Sequence, residues 1–218
     1  MSLFFFKAAG ACLLLCPAVP SLLAAQPASD GATRPAVAVF MDFDSKPGDV
    51  SVAAMQHEVE VLLGPSGIDL NWRMLDGSHA TKPSQGLVVV RFHGHCKVEA
   101  WPQPGEEHAA AGTHTLGFTH VSGGHVSPFS EIECDQIRQA LAYLAPDSTP
   151  GERQKAFGLA MGRVVAHELY HILARTTSHA EEGLAKATES LRDLVNAPAM
   201  LFSQPSSQAI GQGFTTNQ

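Results

Sequence analysis

GERQKAFGLAMGRVVAHELYHILAR, residues 151–175, is the stretch on which the reading of this chain turns. Phe157, Met161, Val164, Val165, Leu169, Ile172 and Leu173 recur at the three- and four-residue spacing of one helical face, which predicts a helix over 151–175. A helix has about 3.6 residues per turn, so positions four apart project side by side. His167 and His171 therefore share a face and can offer two imidazole nitrogens to one metal. Zinc suits imidazole and prefers tetrahedral geometry. Glu168 follows the first histidine, near the metal without being forced to ligate it, where it can take a proton from a water on that metal. Burying two histidines and a glutamate among Val165, Leu169 and Ile172 would be costly without a ligand to satisfy them. Gly158 and Gly162, one turn apart, permit close approach of another element.

A third protein ligand is needed. Ala174 to Ser178 is suited to end the helix and turn the chain back, which makes His179 the first choice. Glu182 and Glu189 are the competitors. Three protein ligands plus water would make an open, catalytic site. Four would make a closed, structural one, with Glu182 as the residue to complete it.

The motif HELYH resembles that of the zincin metallopeptidases. The segment 162–184, GRVVAHELYHILARTTSHAEEGL, is similar to a variant metzincin arrangement. Metzincins read HExxHxxGxxH; here Ala174 and Thr177 stand at the glycine and third-histidine places, and His179 comes two residues later. The segment also resembles a bacterial zincin-like group with longer spacing and a Gly-Ile-Met after the last histidine, to which Gly183, Leu184 and Ala185 correspond. The resemblance implies an α+β, zincin-like domain with a mixed sheet packed on the helix that carries the motif. It implies a secreted zinc-dependent metallopeptidase with one zinc ion on His167, His171 and His179, and Glu168 as general base. The gluzincin alternative would take its third ligand from Glu182 or Glu189. It also implies an edge strand above the helix that pairs with extended substrate, which a hairpin over 116–134 would supply. The rival from another class is an exported zinc-binding protein without turnover.

The rest of the chain frames that helix. Ala36 to Phe43 and Ile68 to Leu75 read as strands, and Leu87 to Phe92 as a central strand. Val52, Met55, Val59, Leu62 and Leu63 recur at helical spacing up to Gly64. Leu116 to Val121 and Val126 to Cys134 read as strands joined by a turn at Ser122, Gly123 and Gly124. A short helix starts at Asp135 and ends before Pro146 to Pro150. A further helix is expected over 180–195, and a polar, poorly ordered tail over 205–218. Residues 97–115 read as a long loop. His93 and His95 are candidates for a second metal site or for a solvent-facing loop edge. His114, His120 and His125 are candidates to line the cleft, and Glu131, Glu133 and Asp135 are expected to face solvent. Tyr170, Trp72 and Trp101 read as packing residues.

The 218 residues are 44% hydrophobic, enough for one core and one domain, here 36–204. Fourteen basic residues stand against 21 acidic ones, a net charge of −7 without any basic run. That balance argues against nucleic acid as a partner, and the zincin resemblance implies a protein or peptide as substrate. Residues 1–25 carry Lys7, an apolar stretch interrupted by Pro17 and Pro20, and Ala24-Ala25. That is the pattern of an export signal, followed by a flexible leader over 26–35. A membrane span needs about 20 apolar residues without interruption, so membrane attachment is expected only through a lipid or an uncleaved signal. Cys12 and Cys16 fall inside the signal. Cys96 and Cys134 remain, and in an exported or periplasmic chain they suggest one disulfide.

Overall fold

The computed structural model describes residues 34–77, 83–101, 115–144, 146–187, 194 and 201–215, within one unit that begins at Arg34. The expected export signal and nearly all of the leader lie outside the described residues. The elements run β1 (Ala36–Phe43), α1 (Asp49–Leu63), β2 (Asp69–Met74), β3 (Gly86–His93), β4 (Gly117–Ser122), β5 (His125–Glu133), α2 (Cys134–Leu144), α3 (Pro150–Ala174) and α4 (Gln204–Thr215). This is an α+β chain with a mixed five-stranded sheet and four helices.

The sheet order is β2-β1-β3-β5-β4. β2, β1, β3 and β5 pair in parallel, and β4 lies antiparallel on β5 as an edge strand. The apolar run of β3 places it centrally, as expected. Val88, Val90 and Phe92 are fully or almost fully buried, whereas on the alternate face Leu87 and Arg91 are exposed and Val89 is half-buried, so one face of β3 enters the core. That face shares one core with the apolar stripe of α3, where Phe157, Met161, Val165 and Leu169 are completely buried, and α3 itself lies against β5 and β4. Met55 and Val59 on α1 complete the layer.

α3 is closed at both ends by local chemistry. Thr149 caps its N-terminus in a reciprocal pair with Glu152: each side chain bonds the other's backbone N–H. At the C-terminus Arg175 adopts a left-handed conformation (φ 54°), the only non-glycine residue among those described with positive φ. Its N–H returns to the carbonyls of His171 and Ile172. Against α1, Arg163 makes an ion pair of 2.8 Å with Glu58, buried on both sides. Cys96, just after β3, and Cys134, at the start of α2, form the expected disulfide. Trp72 and Trp101 act as anchors: Trp72 Nε1 donates to Glu60 Oε1 (2.9 Å) and Trp101 Nε1 to Ser148 Oγ (3.0 Å).

Two expectations are corrected. The tail expected over 205–218 is a helix through Thr215, with Ile210 fully buried and Ser206 and Ser207 covered. The helix expected over 180–195 does not form over its first residues. There Ala180 bridges Lys186 across a single 3₁₀ turn, Gly183–Ala185. Gly183 has φ +73°, and a Cβ on it would lie 2.7 Å from the Leu201 carbonyl, so the backbone packs where no side chain fits. Of the remainder of that range, Leu194 is buried and 188–193 and 195 lie outside the described residues.

Candidate metal centre

His167 and His171 lie one turn apart on α3, in the last two turns before it ends at Ala174. The left-handed Arg175 reverses the chain, Thr176 N–H still returns to the His171 carbonyl (3.1 Å), and His179 comes back over the helix. One potential ligand atom from each of His167, His171 and His179 lies within 4.8 Å of the other two. Among the described residues no other group of three His, Cys, Asp or Glu side chains meets in this way. Glu182, the competing ligand, is exposed and outside the group. Glu189 lies outside the described residues.

The hydrogen bonds of the first two histidines fix which nitrogens face the centre. His167 Nδ1 is 2.7 Å from the Leu184 carbonyl, and His171 Nδ1 is 2.8 Å from the Thr176 carbonyl. A carbonyl can only accept, so both Nδ1 atoms carry the proton, and in the neutral rings both Nε2 atoms carry lone pairs. Those Nε2 atoms face each other at 3.2 Å. Protonating one would relieve the lone-pair contact. However, burial pushes the His167 imidazole down to about 4, with the Leu184 carbonyl opposing and His171 and His179 adding to the shift. Burial likewise lowers His171. A cation between the rings satisfies both lone pairs at once. Two nitrogens each about 2.0–2.1 Å from a tetrahedral zinc lie about 3.3–3.4 Å apart, close to the observed spacing. The three imidazoles, two of them oriented by backbone carbonyls, are a donor set that fits zinc.

Glu168 lines the same cleft, a space of about 300 Å³ that also takes in Phe118, Thr119, Val126 and Thr177. The side chain is buried, and burial pushes its carboxyl up to about 7, against a hydrogen bond from Thr119 that acts the other way. Thr119 Oγ1 donates to Oε2 at 2.6 Å. No described residue bonds the other oxygen, Oε1. Tyr170 packs as expected: it stacks on Phe202 and meets His171 edge-on.

The other candidates lie elsewhere. Gly94, at φ +78°, ends the strand after His93, so His93 and His95 do not share a site. His93 bonds Asp44 and Glu131, whereas His95 is exposed beside Asp135. Glu131 does not simply face solvent, because His93 and His120 hold its two oxygens (2.8 and 2.9 Å). Asp135 pairs with Arg138 at 3.0 Å. His120 is thus committed away from the metal cleft. His125 lines a neighbouring cavity, and His114 lies outside the described residues. That cavity is the larger, about 450 Å³ between Leu87, Pro128, Ile172, Leu173 and Phe214. It gathers no metal-ligating set among the described residues, so the chemistry belongs to the smaller cleft. Sequence reasoning missed Thr119 and the carbonyls of Leu184 and Thr176. The backbone acceptors have no residue-type signal, and Thr119 could be found only from the pairing of β4.

No family profile matches the chain, and no curated protein matches it.

Proposed function

We propose that this chain is an exported zinc-dependent peptidase with a zincin-like domain. The observation that carries the reading is the convergence of His167, His171 and His179 with Glu168 in one cleft beside the edge strand β4. Zinc, when bound there, supplies Lewis acidity that lowers the pKa of a coordinated water to about 7 and polarises a carbonyl. The chain's own groups do the rest. Leu184 and Thr176 carbonyls hold His167 and His171 in the tautomer that presents Nε2. Glu168 Oε1 takes the proton of the attacking water and hands it to the leaving amine nitrogen. An extended peptide adds to the outer edge of β4 through main-chain hydrogen bonds, which brings its scissile bond over the histidines.

Two further features support this reading. The 3₁₀ turn Gly183–Ala185 sits at the place where the resembling bacterial group has Gly-Ile-Met, with Leu184 and Ala185 fully buried. The Cys96–Cys134 disulfide fits an oxidising compartment and therefore export. A closed, structural site would call for a fourth protein ligand. Among the described residues the group that meets is His167, His171 and His179, the three-ligand set of the peptidase reading.

The test is hydrolysis of a mixed-sequence quenched peptide library by zinc-loaded protein beside Glu168→Ala. The variant is expected to keep its zinc and to lose roughly 10²–10⁴-fold in rate, the range for a general acid–base group. Activity equal to the parent would contradict the mechanism.

A further inference from the structure

Edge strand β4 does more than border the cleft. Its close approach to α3 begins at Gly117, where a Cβ would stand 2.8 Å from Val164 Cγ1 and 3.0 Å from Ile132 Cδ1. Two residues on, on the same face of the strand, Thr119 reaches the helix. Its Oγ1 lies 2.6 Å from Glu168 Oε2, 3.3 Å from the Glu168 carbonyl oxygen and 3.0 Å from Ser130 Oγ. Ser130 is fully buried on β5.

The proton count gives this chain of hydroxyls a direction. A threonine hydroxyl has one proton and accepts through its lone pairs. In the ionised form that takes up a proton, Glu168 can only accept, so the Thr119 proton then goes to Glu168. Ser130 then donates to Thr119 Oγ1. A buried serine hydroxyl without a partner would be costly, so Ser130 fixes the rotor of Thr119 as Thr119 fixes Glu168.

Thr119 and Ser130 also sit where the main-chain ladder breaks. Thr119 pairs with Ser130, but the next pair is Val121 with Val126, so Ser127, Pro128 and Phe129 bulge opposite His120. Pro128 has no N–H to give to a ladder, which suits it to a bulge. The hydroxyl pair on one face, and the His120–Glu131 contact on the other, hold the strand in place just before this break.

From this geometry we infer that Thr119, backed by Ser130, is a positioning residue that tethers Glu168 Oε2 and so keeps Oε1 toward the cleft. Without the tether the carboxylate is free to swing, including toward the metal as a fourth ligand. The inference rests on the peptidase reading, in which Glu168 moves the proton.

The test compares Thr119→Val, which keeps the shape and loses the hydroxyl, with Thr119→Ser, which keeps the hydroxyl. Zinc per chain is expected to be unchanged in both. In the valine variant kcat should fall roughly 10- to 100-fold at unchanged KM, the scale of a misplaced reacting group. Serine should restore most of it. Crystal structures of the metal-free variants give a readout that needs no turnover: Glu168 is displaced or split over two positions with valine, and single and parent-like with serine. If the valine variant fails to fold, Ser130→Ala takes its place, with a smaller loss in the same direction and a less ordered Glu168. A valine variant with parental kcat and an unmoved Glu168 overturns the inference. A zinc-loaded parent that cleaves nothing overturns the peptidase reading instead, and the crystal structures still decide whether Thr119 holds Glu168.

Discussion

Glu131 shows how one carboxylate can be set by its neighbours. Burial works to raise it, but hydrogen bonds from His120 and His93, with their charge, outweigh burial and hold it below its ordinary value. An acid held low when folded binds fewer protons than it does unfolded. Its stabilisation is therefore present above the ordinary carboxylate range and lost as pH falls below it. Glu131→Gln should cost stability at about pH 6 and clearly less at about pH 3, read from urea unfolding. Equal cost at both would show that the two imidazoles contribute no charge-dependent stability. At this scale the sequence was most informative where spacing alone sufficed. His167 and His171 are placed together by helical geometry, and His179 by the need to end the helix. Thr119 was invisible because its role depends on which strand pairs with which, and no local pattern carries that.

Helix α3 is the element on which the site stands, and its glycines make separable predictions. A Cβ on Gly158 would lie 2.4 Å from the Ser51 carbonyl oxygen and 2.7 Å from Ala54 Cβ, so α1 and α3 touch there backbone to backbone. Gly158→Ala should force the helices apart and cost about 1–3 kcal/mol. Gly151, in the first turn, has nothing within 4 Å of such a Cβ. Gly151→Ala should stabilise by about 0.4–1 kcal/mol through the unfolded chain. Thermal unfolding of the two variants checks both signs, and a stabilised Gly158→Ala would mean the helices are not in contact there. The apolar period of α3 and the alternation of β3 were legible because each buries one continuous face. α4 was not. Its sequence, with Pro205, Ser206, Ser207, Gly211 and Gly213, has poor helix propensity and few apolar residues. It is helical because Ile210 is buried and because Gly213 comes so close to the Leu173 carbonyl that a Cβ there would lie 2.4 Å away. Over 180–187 the expected helix does not form, for the converse reason. Good local propensity gave way to a turn whose Leu184 carbonyl is needed by His167.

Across the whole molecule, the disulfide ties the end of the central strand to the start of α2 over a sequence separation of 38. In the chain-entropy account, a loop of that size stabilises by about 3–4 kcal/mol. Replacing Cys96 and Cys134 together by serine should lower stability by about 2–4 kcal/mol in urea unfolding, and an unchanged midpoint would contradict that account. Metal should act in the same sense, because a ligand that binds only the folded chain stabilises it by mass action, about 4 kcal/mol at a thousandfold excess over Kd. The sheet order, with its antiparallel edge beside the histidines, was legible only as a set of strands. Their sequence in space follows from long-range pairing. The most direct test of the account is zinc per chain, by elemental analysis of protein purified without a metal-affinity tag, beside His179→Ala. The account predicts about one zinc in the parent and far less in the variant. No zinc in the parent would contradict the metal centre itself, and full zinc in both would contradict the place of His179 in it.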